Sequence, residues 1–152
     1  MSRVTTKIAD VFNQDAAEAA GKFTQPVEKP PRHALVVDDE PLIRWSATET
    51  LAKIGFIVEN APDAATTLKI VTTAAPPFDV IVLDLRLPDM HDLSLLATLR
   101  QLLPKAHLIL MTAFGTAETE AGVRELGADL LAKPFELEDL NRLVLRHHQD
   151  SD

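Results

Sequence analysis

Val80-Ile81-Val82-Leu83-Asp84-Leu85-Arg86-Leu87-Pro88 is the stretch from which the rest of this chain is read. Four apolar residues, two of them Val and one Ile, run into a single carboxylate, and a proline follows four positions later. An apolar run of this kind predicts a strand buried on both faces, and its C-terminal end carries Asp84 to a surface crevice. Leu35-Val36-Val37 likewise runs into Asp38-Asp39-Glu40, Leu108-Ile109-Leu110-Met111 into Thr112, and the shorter Leu130-Leu131-Ala132 into Lys133-Pro134. Each run ends in a group that can hold a cation or a phosphate.

Between these strands the apolar spacing changes from continuous runs to a helical period. Pro41 at a first-turn position opens a helix with Ile43, Ala47, Thr50, Leu51 and Ile54 on one face, closed by Gly55. Phe56 to Val58 is a short second strand, and Pro62 opens a second helix that ends before Pro76-Pro77. Leu93, Leu96, Leu99 and Leu103 line a third helix, residues 116–126 form a fourth before Gly127, and 136–146 form a fifth with Leu140, Leu143 and Val144 inward. Five strand–helix alternations predict an α/β fold: a five-stranded parallel sheet, doubly wound, with helices on both faces. In such sheets ligands bind outside the C-terminal strand edge where the strand order reverses. All four polar strand ends fall on that edge.

At 152 residues the chain holds one ordinary domain with some length to spare. Residues 1–31 are an N-terminal extension. Ile8, Val11, Phe12, Ala16 and Ala19 recur at helical spacing within 6–20, and Pro26, Pro30 and Pro31 mark a linker. The extension is either a disordered leader or a helix for docking or dimerisation. Residues 32–148 form the domain and 149–152 a polar tail. The composition is 46% hydrophobic and 25% charged, in the globular range. A formal net charge of -8 argues against direct nucleic-acid binding, which needs clustered Lys and Arg. No apolar run is long enough to span a bilayer and no signal-peptide core opens the chain, so a cytoplasmic protein without membrane contact is expected. With no cysteine, thiolate metal sites are excluded.

Asp38, Asp39 and Asp84 bring three carboxylates together. Two such charges about 5 Å apart repel by about 3 kcal/mol at an effective dielectric near 20, so compensation is required. Oxygen ligands of this kind select Mg²⁺, which keeps room for water and a phosphate. Lys133 adds a positive charge and Thr112 a hydroxyl. The set suits phosphoryl transfer, which needs positioning and charge neutralisation more than covalent help. Taken singly each residue has a plainer reading: an Asp after a strand is ordinarily a turn former or helix cap, as Asp39 or Glu40 would be for the first helix. The five-part order is what points to function. No GxxxxGK or GxGxxG occurs, so a nucleotide cradle is excluded.

Residues from about 33 to 147 resemble a response-regulator receiver domain of bacterial two-component systems. The resemblance rests on Val36-Val37-Asp38-Asp39-Glu40, Val82-Leu83-Asp84 with Pro88, Met111-Thr112-Ala113 and Lys133-Pro134-Phe135, and is closest to receivers of the nitrogen-regulator type. It implies a flavodoxin-like strand order 2-1-3-4-5 and a phosphoryl group accepted by Asp84 from a histidine kinase or a histidine phosphotransfer protein. Asp39, Asp84 and the backbone carbonyl of Arg86 would bind Mg²⁺, with Asp38 acting through water. Thr112 and Lys133 would hold the phosphoryl oxygens, and the Lys133-Pro134 bond would be cis. Phosphorylation would reshape the surface of helix four, strand five and helix five, which would meet a downstream protein and is one route to a dimer, the N-terminal helix being the other. No output module is legible in the chain. No turnover of a separate substrate is expected.

Two departures stand out. Leu130 occupies the place where the family has Tyr or Phe, and Asp89 and Asp92 stand where it often has glycines. A phosphorylation-independent interaction module is therefore one alternative. A Mg²⁺-dependent aspartyl-phosphate phosphohydrolase is the other, although such enzymes commonly carry a second Asp where this chain has Arg86. Among the remaining candidates, Trp45 is expected to pack on its helix or to meet a partner. His91 is expected to be a solvated loop residue, and His147 and His148 to face solvent in a frayed tail. Arg86 and Phe114 are expected to overhang the pocket.

Overall fold

The computed structural model describes residues 30–151, so the expected leader helix and most of its linker lie outside the described residues. The strands are β1 (Arg32–Val37), β2 (Phe56–Ala61), β3 (Val80–Asp84), β4 (His107–Thr112) and β5 (Asp129–Ala132). The helices are α1 (Pro41–Lys53), α2 (Ala64–Thr73), α3 (Ser94–Leu102), α4 (Ala117–Glu125) and α5 (Leu137–Ser151). All pairings are parallel, in the order β2-β1-β3-β4-β5. This is the strand order that the resemblance implies.

Alternation along the central strands divides the core in two, because successive side chains leave opposite faces of a strand. Leu35, Val37, Ile81, Leu83, Leu108 and Leu110 meet α2, α3 and α4 through Val71, Leu95, Leu96, Leu99 and Val123. Ala34, Val36, Val80, Val82, Ile109 and Met111 meet α1 and α5 through Ala47, Leu51, Leu140 and Val144. Each large aliphatic side chain buried this way contributes about 1.5–3 kcal/mol. The chain order reverses at β1, with β2 on one side and β3 on the other, and the crevice at their C-terminal ends lies between the loops that carry Asp38 and Asp84.

Several element ends differ from the sequence reading. β2 extends to Ala61 and pairs along the whole of β1, because Glu59 and Asn60 are exposed on an edge strand while Ala61 is buried. α2 starts at Ala64, not Pro62: Asp63 is the N-cap, with extended backbone and a side chain that accepts from the Thr66 N–H. Neither Asp39 nor Glu40 caps α1 with its side chain. Glu40 holds the N-cap position without a side-chain bond, and Asp38 Oδ1 accepts from the Glu40 N–H at 2.9 Å. On α3 the buried positions are Leu95, Leu96 and Leu99, with Leu93 at the N-cap. α5 continues to Ser151, which takes His147 out of a frayed tail: its ring stacks on buried His107 at 3.9 Å. Trp45 does not pack, being 61% exposed.

Candidate functional site

Asp38 follows the last residue of β1 and Asp84 is the last residue of β3. One carboxylate oxygen from each of Asp38, Asp39 and Asp84 lies within 4.8 Å of the others. Asp38 is fully buried and Asp84 nearly so, whereas Asp39 faces solvent. The backbone fixes the loops: the Asp38 N–H donates to Ala61 O at 3.2 Å, and Leu85 N–H to Met111 O at 3.0 Å. Arg44 Nη1, from the first turn of α1, donates to the Asp38 carbonyl at 2.7 Å. Arg44 carries little signal in the sequence: its four-residue spacing from Glu40 places it over the β1–α1 loop, but a half-buried helical arginine gives no other sign of its role.

Lys133 comes directly after β5, and its N–H donates to the Thr112 carbonyl at 2.8 Å. Its Nζ donates to Asp38 Oδ2 at 3.0 Å and lies 3.4 Å from Asp84 Oδ2. The Lys133-Pro134 bond is cis, as is Ala75-Pro76. Thr112, buried at the end of β4, accepts from the Phe114 N–H at 3.1 Å. The Arg86 N–H reaches Asp84 Oδ1 at 3.4 Å, and the Arg86 guanidinium lies 5.5 Å from the centre of the exposed Phe114 ring, a cation–π contact at the rim. The expected site residues Asp38, Asp39, Asp84 and Lys133 thus converge at one point, with Thr112 joined to Lys133 through the backbone and Arg86 adjacent to Asp84.

The charges are unbalanced. Burial, and then the Asp38 carboxylate, raise the Asp84 carboxyl above its ordinary range, and Lys133 with the Arg86 N–H only partly offset them. Burial lowers the Lys133 ammonium, but the hydrogen bond and charge of Asp38, followed by Asp84, outweigh it and its pKa is raised. Three carboxylates against one ammonium leave a deficit that a divalent cation matches. The donors are carboxylate oxygens, the chemistry that Mg²⁺ favours, and Asp39 is open to solvent, so the residues fit that ion.

The loop after β3 departs from the expectation that Asp89 merely fills a glycine position. Asp89 Oδ1 accepts from Ala64 N at 2.9 Å and Oδ2 from Ala65 N at 3.0 Å, so its carboxylate caps α2 from 24 and 25 residues away. Asp92 Oδ1 accepts from Ser94 N at 2.9 Å and closes the turn into α3.

The chain is thus a doubly wound α/β domain with an acidic, ammonium-capped pocket at its switch point. The family model for the response regulator receiver domain matches residues 34–145, and the chain belongs to that family. Relatives include the regulatory protein AtoC of Escherichia coli K12, 34% identical over 113 residues, 74% of this chain and 24% of AtoC. The DNA-binding transcriptional regulator NtrC of the same strain is 34% identical over 119 residues, 76% of this chain and 25% of NtrC. The chain therefore spans about a quarter of the length of these regulators. Among solved structures, the receiver domain protein (CheY-like) of Methanospirillum hungatei JF-1 superposes with a TM-score of 0.73 at 27% identity, over 80% of this chain and 96% of that one. Among the described residues, no helix is long and apolar enough to cross a membrane.

Proposed function

We propose that the chain is a two-component phosphorelay receiver in which Asp84 accepts a phosphoryl group from a phosphohistidine. The observation that supports this reading best is the cluster itself: three carboxylates within 4.8 Å of one another, with the Lys133 ammonium 3.4 Å from Asp84. Asp39, Asp84 and the Arg86 carbonyl would hold Mg²⁺, with Asp38 acting through water; the ion supplies charge neutralisation for the phosphoryl oxygens. An Asp84 carboxylate oxygen attacks phosphorus as the bond from phosphorus to the donor imidazole nitrogen breaks, and the imidazole leaves with the electron pair. Lys133 and the Thr112 hydroxyl take the transferred oxygens. The Thr112 hydroxyl can donate to a phosphoryl oxygen while its Oγ1 accepts from the Phe114 N–H, which links the site to the β4–α4 loop.

The donor is a histidine kinase or a histidine phosphotransfer protein. An apolar groove of about 470 Å³ opens beside the site, lined by Leu42, Ile43, Ala113, Lys133, Phe135 and Leu137. With exposed Leu42 among its lining residues, it favours an apolar partner surface that delivers its histidine toward Asp84. The output is a change of protein contacts on α4, β5 and α5, where Leu130 replaces a switching ring. The chain modifies only itself: Arg86 stands where a phosphohydrolase would keep its second acid. Incubation with Mg²⁺ and acetyl phosphate, followed by intact-mass measurement, tests the reading. The wild type gains one alkali-labile phosphoryl group, which chelator prevents; an unchanged yield in Asp84→Asn would sink the proposal.

A further inference from the structure

The β3–α3 loop contains a brace that the phosphoryl-transfer reading does not require. Leu87, Pro88, Asp89 and Met90 form a tight turn in which the Leu87 N–H donates to Met90 O at 2.9 Å and the Met90 N–H to Leu87 O at 3.2 Å. Two side chains anchor this turn. Leu87 is 1% exposed in the core, and Asp89 spans the first two amides of α2 with both carboxylate oxygens. The Arg86 carbonyl and the Leu87 N–H are the two ends of one planar peptide. Fixing that N–H in the turn therefore fixes the direction of the Arg86 carbonyl, which is trans to it.

The far end of the brace is also tied down. The Asp38 N–H holds Ala61 O, and Pro62 and Asp63 lead from there straight into α2. The loop carrying Asp38 and Asp39 and the loop carrying Asp84 and Arg86 are thereby joined through the N-terminus of α2. We propose that Asp89 is a positioning residue for the metal site: by bolting the β3–α3 turn to α2 it holds the Arg86 carbonyl, and with it the spacing of the two acid-bearing loops, in the arrangement that binds Mg²⁺. This rests on the reading that Asp39, Asp84 and the Arg86 carbonyl hold the ion. The bonds from Ala64, and then Ala65, also lower the pKa of Asp89, as expected for a carboxylate that accepts two helix N-terminal amides.

Asp63 supplies the control. It caps the same helix through the Thr66 N–H, and its carbonyl accepts from the Thr67 hydroxyl, so its hydrogen bonds stay within α2. Mg²⁺ titration of the full chain by calorimetry, together with amide hydrogen exchange of residues 85–90 in chelator, tests the inference. Asp89→Ala weakens Mg²⁺ binding about tenfold, the scale for groups that orient metal ligands, and speeds exchange at the Leu87 and Met90 amides. Asp89→Asn, which keeps one carbonyl acceptor, falls between Asp89→Ala and wild type. Asp63→Ala lowers the melting temperature but leaves Mg²⁺ affinity unchanged. Wild-type affinity in both Asp89 variants, or an equal loss in Asp63→Ala, overturns the positioning role and leaves the metal site intact. A wild type that binds no Mg²⁺ overturns the underlying reading, and the brace's role with it.

Discussion

Replacing Lys133 with methionine keeps much of the apolar stem and removes the ammonium that lies 3.0 Å from Asp38 Oδ2 and 3.4 Å from Asp84 Oδ2. At an effective dielectric near 20, each contact is worth about 5 kcal/mol of Coulomb attraction. Desolvation of the ammonium, several kcal/mol, offsets a good part of that. The carboxylates left behind are 0% and 10% exposed, so water screens them poorly. The expected net loss at neutral pH is about 3–5 kcal/mol, the range for removing one partner of a buried pair.

The pH dependence follows from Asp84. Its pKa is already raised by burial and by Asp38, so its charge destabilises the fold at neutral pH and relief comes as pH falls through the folded pKa. Without Lys133 that pKa rises further, and the loss in Lys133→Met shrinks in mild acid. Mg²⁺ opposes the same two charges, so it stabilises the variant more than the wild type. Urea unfolding of both proteins, at neutral and mildly acidic pH, with Mg²⁺ and with chelator, measures all three effects. A loss below about 1 kcal/mol, or an equal loss at both pH values with no added Mg²⁺ response, would refute this electrostatic account.

Asp84→Asn removes a charge that burial disfavours, and is expected to stabilise the metal-free protein by about 0.5–2 kcal/mol in a thermal melt with chelator while abolishing phosphorylation. Arg100 donates to the carbonyls of Leu103, Pro104, Ala106, Leu126 and Gly127, closing the C-terminal ends of α3 and α4. Lysine cannot span that fan, so Arg100→Lys is expected to cost about 1–3 kcal/mol in urea unfolding. His107 is held below its ordinary value of 6.5, first by burial, against the bond to Asp129. Its neutral form is the folded one, so stability is full above 6.5 and is lost as pH falls toward the folded pKa. His107→Gln is expected to flatten that slope in a stability–pH series.

The sheet and the acid pocket were legible in the sequence because both are local signals. A continuous Val, Ile and Leu run that ends in Asp84, Thr112 or Lys133 marks a buried strand and its exit point, and parallel connectivity sends every exit to one edge. What escaped depends on distant partners. Asp89 meets α2 across about 25 residues, His107 meets His147 only because α5 is longer than its apolar spacing suggests, and Arg100 is paired with carbonyls that carry no side-chain signature. The full length of β2 was hidden by Glu59 and Asn60, whose polarity is compatible with strand only on an exposed edge.

The central claim is that Asp84, and neither of the acids beside it, accepts the phosphoryl group. Borohydride reduces an aspartyl phosphate to homoserine, so reduction after incubation with Mg²⁺ and a phosphodonor, followed by peptide mass spectrometry, reads the acceptor position directly. Homoserine at position 84, absent in chelator, is the expected result; homoserine at position 38 or 39, or at none of the three, would contradict the account.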